Sequence, residues 1–552
     1  MTARDQKFDR LAKALFSAAV RRNPLLATGL GIHRRDGELP NGTRRARLRE
    51  TEQHREFLER FQAFPREGLS PERRVDRELA IHFLRLWVFE AEELRFWESS
   101  PEGPYTVADS LFSLLLRDFA PLPGRLRSIA KRLAATPRYL REVRSLLVDP
   151  VRLWVEMAIE AGEEFPGLVA EVRSAAHGAL AEREVLRLER AAAAAETAMK
   201  AHVAWLRESL DASRTDFAIG RVKFEKLLKV RELGVTAREV LSFGKRMLER
   251  EKAELDRLAK LVRPDAEVRE VRDLLKANHP PTFEGVLAFV RDVKERSRRF
   301  LVENEFATIP PDEDLTVIET PAYMRNVLPF GAYSGPARLD RPQHGLYLVT
   351  PVDGNMDRLK KHNYAALENM TVHEGYPGHH LQNVCANRHA SLLRPLHWAV
   401  ETCEGWAHYC EERMKELGFG ATPESLFVQT DDAVWRCVRV VVDVGLSCGD
   451  MTFDQAVELM METVAMDREA AVAEVKRYTI SPGYQLSYMW GRERIKALRA
   501  EAKKRLKDRF TERAFHDAIL YAGSLPMKHL EREVIAGMRS RRARATEDGA
   551  RA

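Results

Sequence analysis

The chain has 552 residues, is 45% hydrophobic, 31% charged and 8% aromatic, and carries a net charge of +6. That composition excludes a disordered or fibrous protein, and five cysteines, all between Cys385 and Cys448, exclude a disulfide scaffold. Acids and bases are mixed along the chain and no aromatic–basic motif of the known modules occurs, so nucleic acid is not expected as a partner.

The N-terminal segment places Phe8, Leu11, Leu15 and Ala19 at spacings of three and four, which predicts an amphipathic helix. It lacks the apolar core and small-residue cleavage site of a signal peptide. No run approaches the ~18 apolar residues that span a bilayer; the best, residues 438–445, contains Arg439 and Asp443. Few cysteines and no export signal make the cytoplasm the expected compartment, with no membrane partner. Residues 176–210 are rich in Ala, Glu, Arg and Leu, with one glycine (Gly178) and no proline, and predict a long helix, as do residues 237–261. Proline-containing breaks fall near residues 101–104, 121–123, 149–150 and 280–281.

The texture changes over residues 307–351, which hold Pro310, Pro311, Pro321, Pro329, Pro336, Pro342 and Pro351 and two β-like runs, residues 315–319 and 345–350. A small sheet or hairpin inserted in a helical protein is expected there. Helical patterns then return. The expected fold class is mostly α: a large helical, peptidase-like body with a small β element before a metal-binding helix. Residues 1–300 form a helical N-terminal region, 301–540 a metal-site region packed with it as one unit, and 541–552 a flexible polar tail.

Seven of the 16 histidines crowd between His362 and His408. Residues 371–382 read TVHEGYPGHHLQ, a variant of the zinc-peptidase helix H-E-x-x-H. There, i and i+4 lie ~40° apart, so two imidazoles meet one ion while the Glu acts as base. Here position i+4 from His373 is Pro377, and His379 is i+6, roughly 120° away on an ideal helix. Pro377 breaks the helix and Gly378 relaxes the backbone, so a kink there can bring His379 round to the ion. His380, at i+7, has the better angle but lies ~10 Å along the axis, a long reach for Zn–N bonds of ~2.1 Å. His379 is favoured and His380 stays open.

A third ligand is expected from another helix, where Glu401, Glu404 and His408 share one face. Two His and one carboxylate with an open fourth position make a catalytic arrangement. Zinc would lower the pKa of water toward ~7, and Glu374 would accept its proton and pass it to the leaving amine. A bare His-Glu pair is common; the Pro-Gly, the doubled His and the downstream EGWAHY single this stretch out. Cys385, Cys403 and Cys410 match no C-x-x-C spacing and are expected in the core.

Six stretches in order, PLLATGLGIHRR, HEGYPGHHLQ, EGWAHYCEE, RVVVDVGLSCGDMTFDQAVELM, RYTISPGYQLSYMWGRERI and AFHDAILYAGSLP, resemble the DUF885 family of bacterial and archaeal proteins along nearly the whole chain. The resemblance implies a zinc-dependent, peptidase-like protein with a helical fold similar to the gluzincins of the thimet oligopeptidase and carboxypeptidase Taq kind. It implies His373, His379 and Glu404 as ligands of one zinc per chain, Glu374 as base, and Glu401 as a group orienting a ligand His. It also points to Tyr484, Gln485, Tyr488 and Arg492. Tyr488 and Arg492 are i, i+4 and are expected to face the cleft together, the hydroxyl on an oxyanion and the guanidinium on a substrate carboxylate. Core packing is an equal reading for Tyr484 and Tyr488.

Arg439 and Asp443 read as a structural i, i+4 ion pair. Ser447 stands where many relatives carry His, so a carbonyl-polarising His of that kind is lacking here. Tyr333 and the 345–350 strand are expected to offer a peptide-binding edge. The functional expectation is a zinc-dependent hydrolase of peptide or amide bonds acting on short peptides. The alternatives are a metallohydrolase of a non-peptide amide or ester, and a metal-retaining but inactive binding or scaffold protein.

Overall fold

The computed structural model describes residues 2–321, 325, 331–351, 359–535 and 537–538; the tail at 541–552 and Pro329 lie outside them. The chain is mostly α-helical, with one three-stranded sheet. It divides into two units, Met1–Ala218 with Ala337–Arg341, and Ile219–Pro336 with Pro342–Ala552. The boundary between them falls after residue 218. The helices Arg221–Val230 and Ala237–Val262 pack on the later helix Pro423–Cys448, a pairing that no local pattern announces.

In the first unit, α1 (Ala3–Arg22) opens with a capping box between Thr2 and Asp5 and buries Phe8, Leu11 and Leu15, the stripe read from the sequence. The long helix expected over 176–210 is divided. One helix, α2 (Phe165–Ala176), ends before Gly178, which takes φ +80, and α3 (Glu182–Ser209) starts after it. The single glycine adopts the left-handed conformation that ends helices, and this outweighs the helix-favouring composition on either side.

In the second unit, α4 (Ala237–Val262) is capped by Thr236 and Glu239, and its Leu255, Leu258 and Ala259 are buried with Phe427 and Val434. After α5 (Phe283–Glu303) come β1 (Glu313–Glu319), β2 (Gly331–Ser334) and β3 (Gln343–Val349), in the order β1-β3-β2. β1 pairs parallel and β2 antiparallel with β3. The two β-like runs are thus β1 and β3, but β3 is central. Its backbone is paired on both sides, so the expected peptide-binding edge cannot be the 345–350 strand. Among the described residues the strand with an unpaired edge beside Tyr333 is β2 itself.

The remaining elements are α6 (Tyr364–Glu374), α7 (His379–Ala386), α8 (Val400–Glu416), α9 (Pro423–Cys448), α10 (Arg468–Thr479) and α11 (Ser487–Leu506). The apolar run 438–445 is the buried middle of α9. No helix among the described residues is long and apolar enough to cross a membrane. Cys385, Cys403 and Cys410 are buried and free, as core residues.

α8 and α11 touch backbone to backbone. A Cβ on Gly405 would lie 2.5 Å from the Gly491 carbonyl carbon, and one on Gly491 1.9 Å from the Glu401 oxygen. Glycine at both positions allows this approach, and it sets Tyr484, in the turn before α11, against Glu404 of α8. Gly491→Ala should therefore destabilise the protein by about 1–3 kcal/mol through overpacking. An unchanged melting temperature would contradict the contact.

Candidate metal centre

α6 starts on Asn363, whose side chain accepts from the Ala366 N–H, and runs to Glu374. Gly375 then leaves the helix at φ −103, ψ −106. Pro377 cannot continue the turn. The chain folds back instead: Gly378 N–H donates to Val372 O at 3.1 Å, and α7 restarts at His379. A Cβ on Gly378 would sit 1.8 Å from the His373 carbonyl oxygen, so only glycine fits. Trp406 Nε1 of α8 donates to Pro377 O at 2.9 Å and fastens the turn.

This fold-back brings His379 to His373, with ring centroids 4.8 Å apart and planes at 88°. His379 Nε2 lies 3.4 Å and His373 Nε2 3.9 Å from Glu404 Oε2. One donor atom from each of the three, which could hold a metal ion, falls within 4.8 Å of the others. His380 is directed elsewhere. Its Nε2 donates to Glu313 Oε2 of β1 at 2.7 Å, and its Nδ1 lies 3.2 Å from the Tyr333 hydroxyl. The next residue after a restarted helix points about 100° away, which separates the two adjacent histidines.

Glu404 is bound at both oxygens, since Oε1 accepts from the Tyr484 hydroxyl at 2.7 Å. Burial pushes its carboxyl up, but the His379 hydrogen bond and the His379 and His373 charges outweigh this and hold it at about 2. Burial lowers His379, while the Glu404 hydrogen bond and charge raise it to about 9. His379 and Glu404 form an ion pair as they stand.

His373 is oriented from behind by Glu411, not by Glu401. Its Nδ1 donates to Glu411 Oε1 at 2.6 Å, and Asn369 Nδ2 donates to Glu411 Oε2 at 3.0 Å. Arg436 Nη2 lies 3.4 Å from the same carboxylate. Burial opposes ionisation of Glu411, and the Arg436 charge with the His373 and His408 contacts holds it well below the usual carboxylate range. Glu401, expected to orient a ligand His, accepts instead from Arg231 Nη2 at 2.9 Å. Arg231 also binds Ser487 Oγ at 2.9 Å and the Gly483 carbonyl, so Glu401 steadies the turn before α11. Glu411 was legible in EGWAHYCEE: it is seven residues, two helical turns, beyond Glu404. His408 is fully buried with Nδ1 3.5 Å from Glu411 Oε2, and burial lowers it to about 4. It is a neutral neighbour of Glu411 and stands outside the ligand cluster.

Glu374 Oε2 accepts from the backbone N–H of Tyr333 at 3.1 Å, which places this carboxylate beside the outer edge of β2. Tyr488 is buried, 6.2 Å from Tyr484 between ring centroids. Burial, helped by Glu404 and opposed by Arg439, Arg477 and Arg436, pushes its phenol up to about 12. Gln485 is buried, with Nε2 3.5 Å from Ser481 Oγ. Arg492, expected to face the cleft with Tyr488, does not. It is 1% exposed and its guanidinium is committed to Glu251 and Glu493.

Arg439 and Asp443 are not a pair either. Asp443 accepts from the N–H groups of Gly483 at 2.7 Å and Leu486 at 2.9 Å, so it caps the turn that carries Tyr484. Arg439 pairs with Glu474 of α10 at 2.9 Å. Ser447 Oγ donates to Asp443 Oδ1 at 3.2 Å and supports the same turn.

The family model described as "Bacterial protein of unknown function (DUF885)" matches residues 24–534. No curated protein matches the chain. Among solved structures, "a putative lipoprotein of unknown function" from Shewanella oneidensis is 24% identical, with a TM-score of 0.77 over 95% of this chain and 99% of that one. "The putative lipoprotein" from Colwellia psychrerythraea is 20% identical, with a TM-score of 0.86 over 98% and 100%. These two share the fold.

Because residue 378 has no room for a side chain, Gly378→Ala should cost about 3 kcal/mol of stability. Urea unfolding measures this, and a stability equal to that of the unaltered chain would rule out the fold-back.

Proposed function

The chain belongs to the DUF885 family, and we propose that it is a zinc-dependent hydrolase of peptide or amide bonds acting on short peptides. The carrying observation is the convergence of His373 Nε2, His379 Nε2 and Glu404 Oε2. The opposite atoms of His373 and Glu404 are already used, on Glu411 and Tyr484. A cation that displaces the proton His379 shares with Glu404 would meet three acceptors facing one point, and two imidazoles with a carboxylate are a donor set that zinc takes in catalytic sites. Zinc bound there would supply Lewis acidity toward a carbonyl and lower the pKa of water.

The chain's own residues supply the rest. Glu374, next to a ligand and held by the Tyr333 N–H, takes a proton from the attacking water and delivers it to the leaving nitrogen. A C–O bond forms, the C–N bond breaks, and acid and amine leave. Tyr488, protonated at neutral pH, donates to the developing oxyanion. The outer edge of β2, beside Glu374, suits an extended peptide. Five free cysteines suit a reducing compartment, so the cytoplasm is the proposed location. The description as lipoproteins stays with the two relatives.

Purified protein should hold about one zinc per chain. His373→Ala should lose most of it, and Glu374→Gln should keep it while abolishing cleavage of a mixed peptide library read by mass spectrometry. Metal content indifferent to His373, or turnover surviving Glu374→Gln, would sink the respective role. Glu411→Gln should weaken zinc by about 10–100-fold, measured against a competing chelator.

A further inference from the structure

Arg439 of α9 stands one helical turn beyond Arg436, whose guanidinium reaches Glu411 behind His373. It is 5% exposed and lies among aromatic rings. Its guanidinium carbon is 4.1 Å from the Trp435 ring centre and 4.7 Å from that of Tyr488. Tyr488 neighbours Tyr484, and Tyr484 binds Glu404, so the guanidinium belongs to the wall of the metal centre.

Its hydrogen bonds are incomplete. Nε donates to the Tyr478 hydroxyl at 2.7 Å and Nη2 to Glu474 Oε2 at 2.9 Å, while Nη1 makes no hydrogen bond among the described residues. Its carboxylate partner is shared as well. Glu474 also serves Arg477 at 2.8 Å, so one carboxylate faces two guanidiniums. Arg436 is balanced by Glu411 and by Asp432 at 3.0 Å. Nη1 is thus left unpaired without being fully buried, so this donor stays open to an anion that enters the site.

We propose that Arg439 binds a free carboxylate of the substrate near the scissile bond, most directly the C-terminal carboxylate of a peptide. This rests on the hydrolase reading above and specifies its substrate class. Arg439 lies against the ring whose hydroxyl is assigned to the oxyanion, so the bound carboxylate stands close to the cleaved carbonyl and the enzyme removes short pieces from peptide C-termini. An acidic side chain at that position has the same chemistry, and the substrates distinguish the two.

The test uses the full-length, zinc-loaded protein and one peptide sequence in three forms: free C-terminal acid, C-terminal amide, and amide with Glu as the last residue. The amide is expected to lose about 30-fold or more in kcat/KM relative to the acid. Rescue by the Glu-bearing amide would transfer the role to a side-chain carboxylate while keeping Arg439. Equal kcat/KM for all three forms overturns the proposal, and this comparison needs no variant. Arg439→Gln should bring the acid-to-amide ratio toward one, and Arg439→Lys should restore part of it. A folded Arg439→Gln protein that keeps the full ratio removes Arg439 from the role. No cleavage of any peptide by zinc-saturated protein overturns the hydrolase reading, and this inference with it.

Discussion

The close approach of residue 378 to the carbonyl of His373 is the constraint on which the centre depends. A straight helix through HEGYPGHH would spread its histidines around the cylinder. The chain instead stops at Glu374, turns through Gly375 and Pro377, and lays Gly378 against the last turn of α6. Proline forbids continuation and glycine permits contact, so the two residues act as one device. Its product is a pair of nearly perpendicular imidazoles that a regular helix, with five residues between them, would have kept apart. Trp406 then ties this turn to α8, the helix that brings Glu404.

A second close approach acts in the same way on the other side. Gly405 and Gly491 let α8 and α11 meet at backbone distance, and the turn before α11 delivers Tyr484 to Glu404. That turn is itself held by charges. Asp443 caps its N–H groups, while Arg231 joins its carbonyl at Gly483 to Glu401. Burial raises Asp443 to about 6, with the two N–H groups pulling the other way. The buried polar residues around the centre are therefore mostly scaffolding. Glu401, Asp443 and Ser447 fix a loop, whereas Glu411 and Tyr484 touch the cluster itself.

The sequence was most informative where covalent geometry decides the outcome. The fold class, both principal β runs, α1, α4 and the break at Pro377–Gly378 all follow from periodicity and from proline and glycine. It was least informative where several acidic or basic residues share a helix and only tertiary packing assigns their partners. Glu401 and Glu411 are both acidic positions on α8, and the choice between them turns on where Arg231 and His373 lie in space. Arg439 and Asp443 have the spacing of an ion pair, yet each finds a better partner on another element. The 345–350 run was legible as a strand, but its central place in the sheet depends on pairing to β1 and β2.

The contrast between Arg492 and Arg439 shows what separates a structural arginine from one built to receive something. Both are almost fully buried and both lie on helices that face Glu404 or its supports. Arg492 has Glu251 and Glu493 on its guanidinium, with Glu412 3.7 Å away, and a buried cation so surrounded has no reason to bind another anion. Arg439 shares its one carboxylate with Arg477 and lies against the rings of Trp435 and Tyr488. Contact with the rings uses none of its donors. Arg439 keeps one donor open beside Tyr488 where Arg492 is surrounded by carboxylates, and that difference, not burial, is what suits Arg439 to the substrate carboxylate proposed for it.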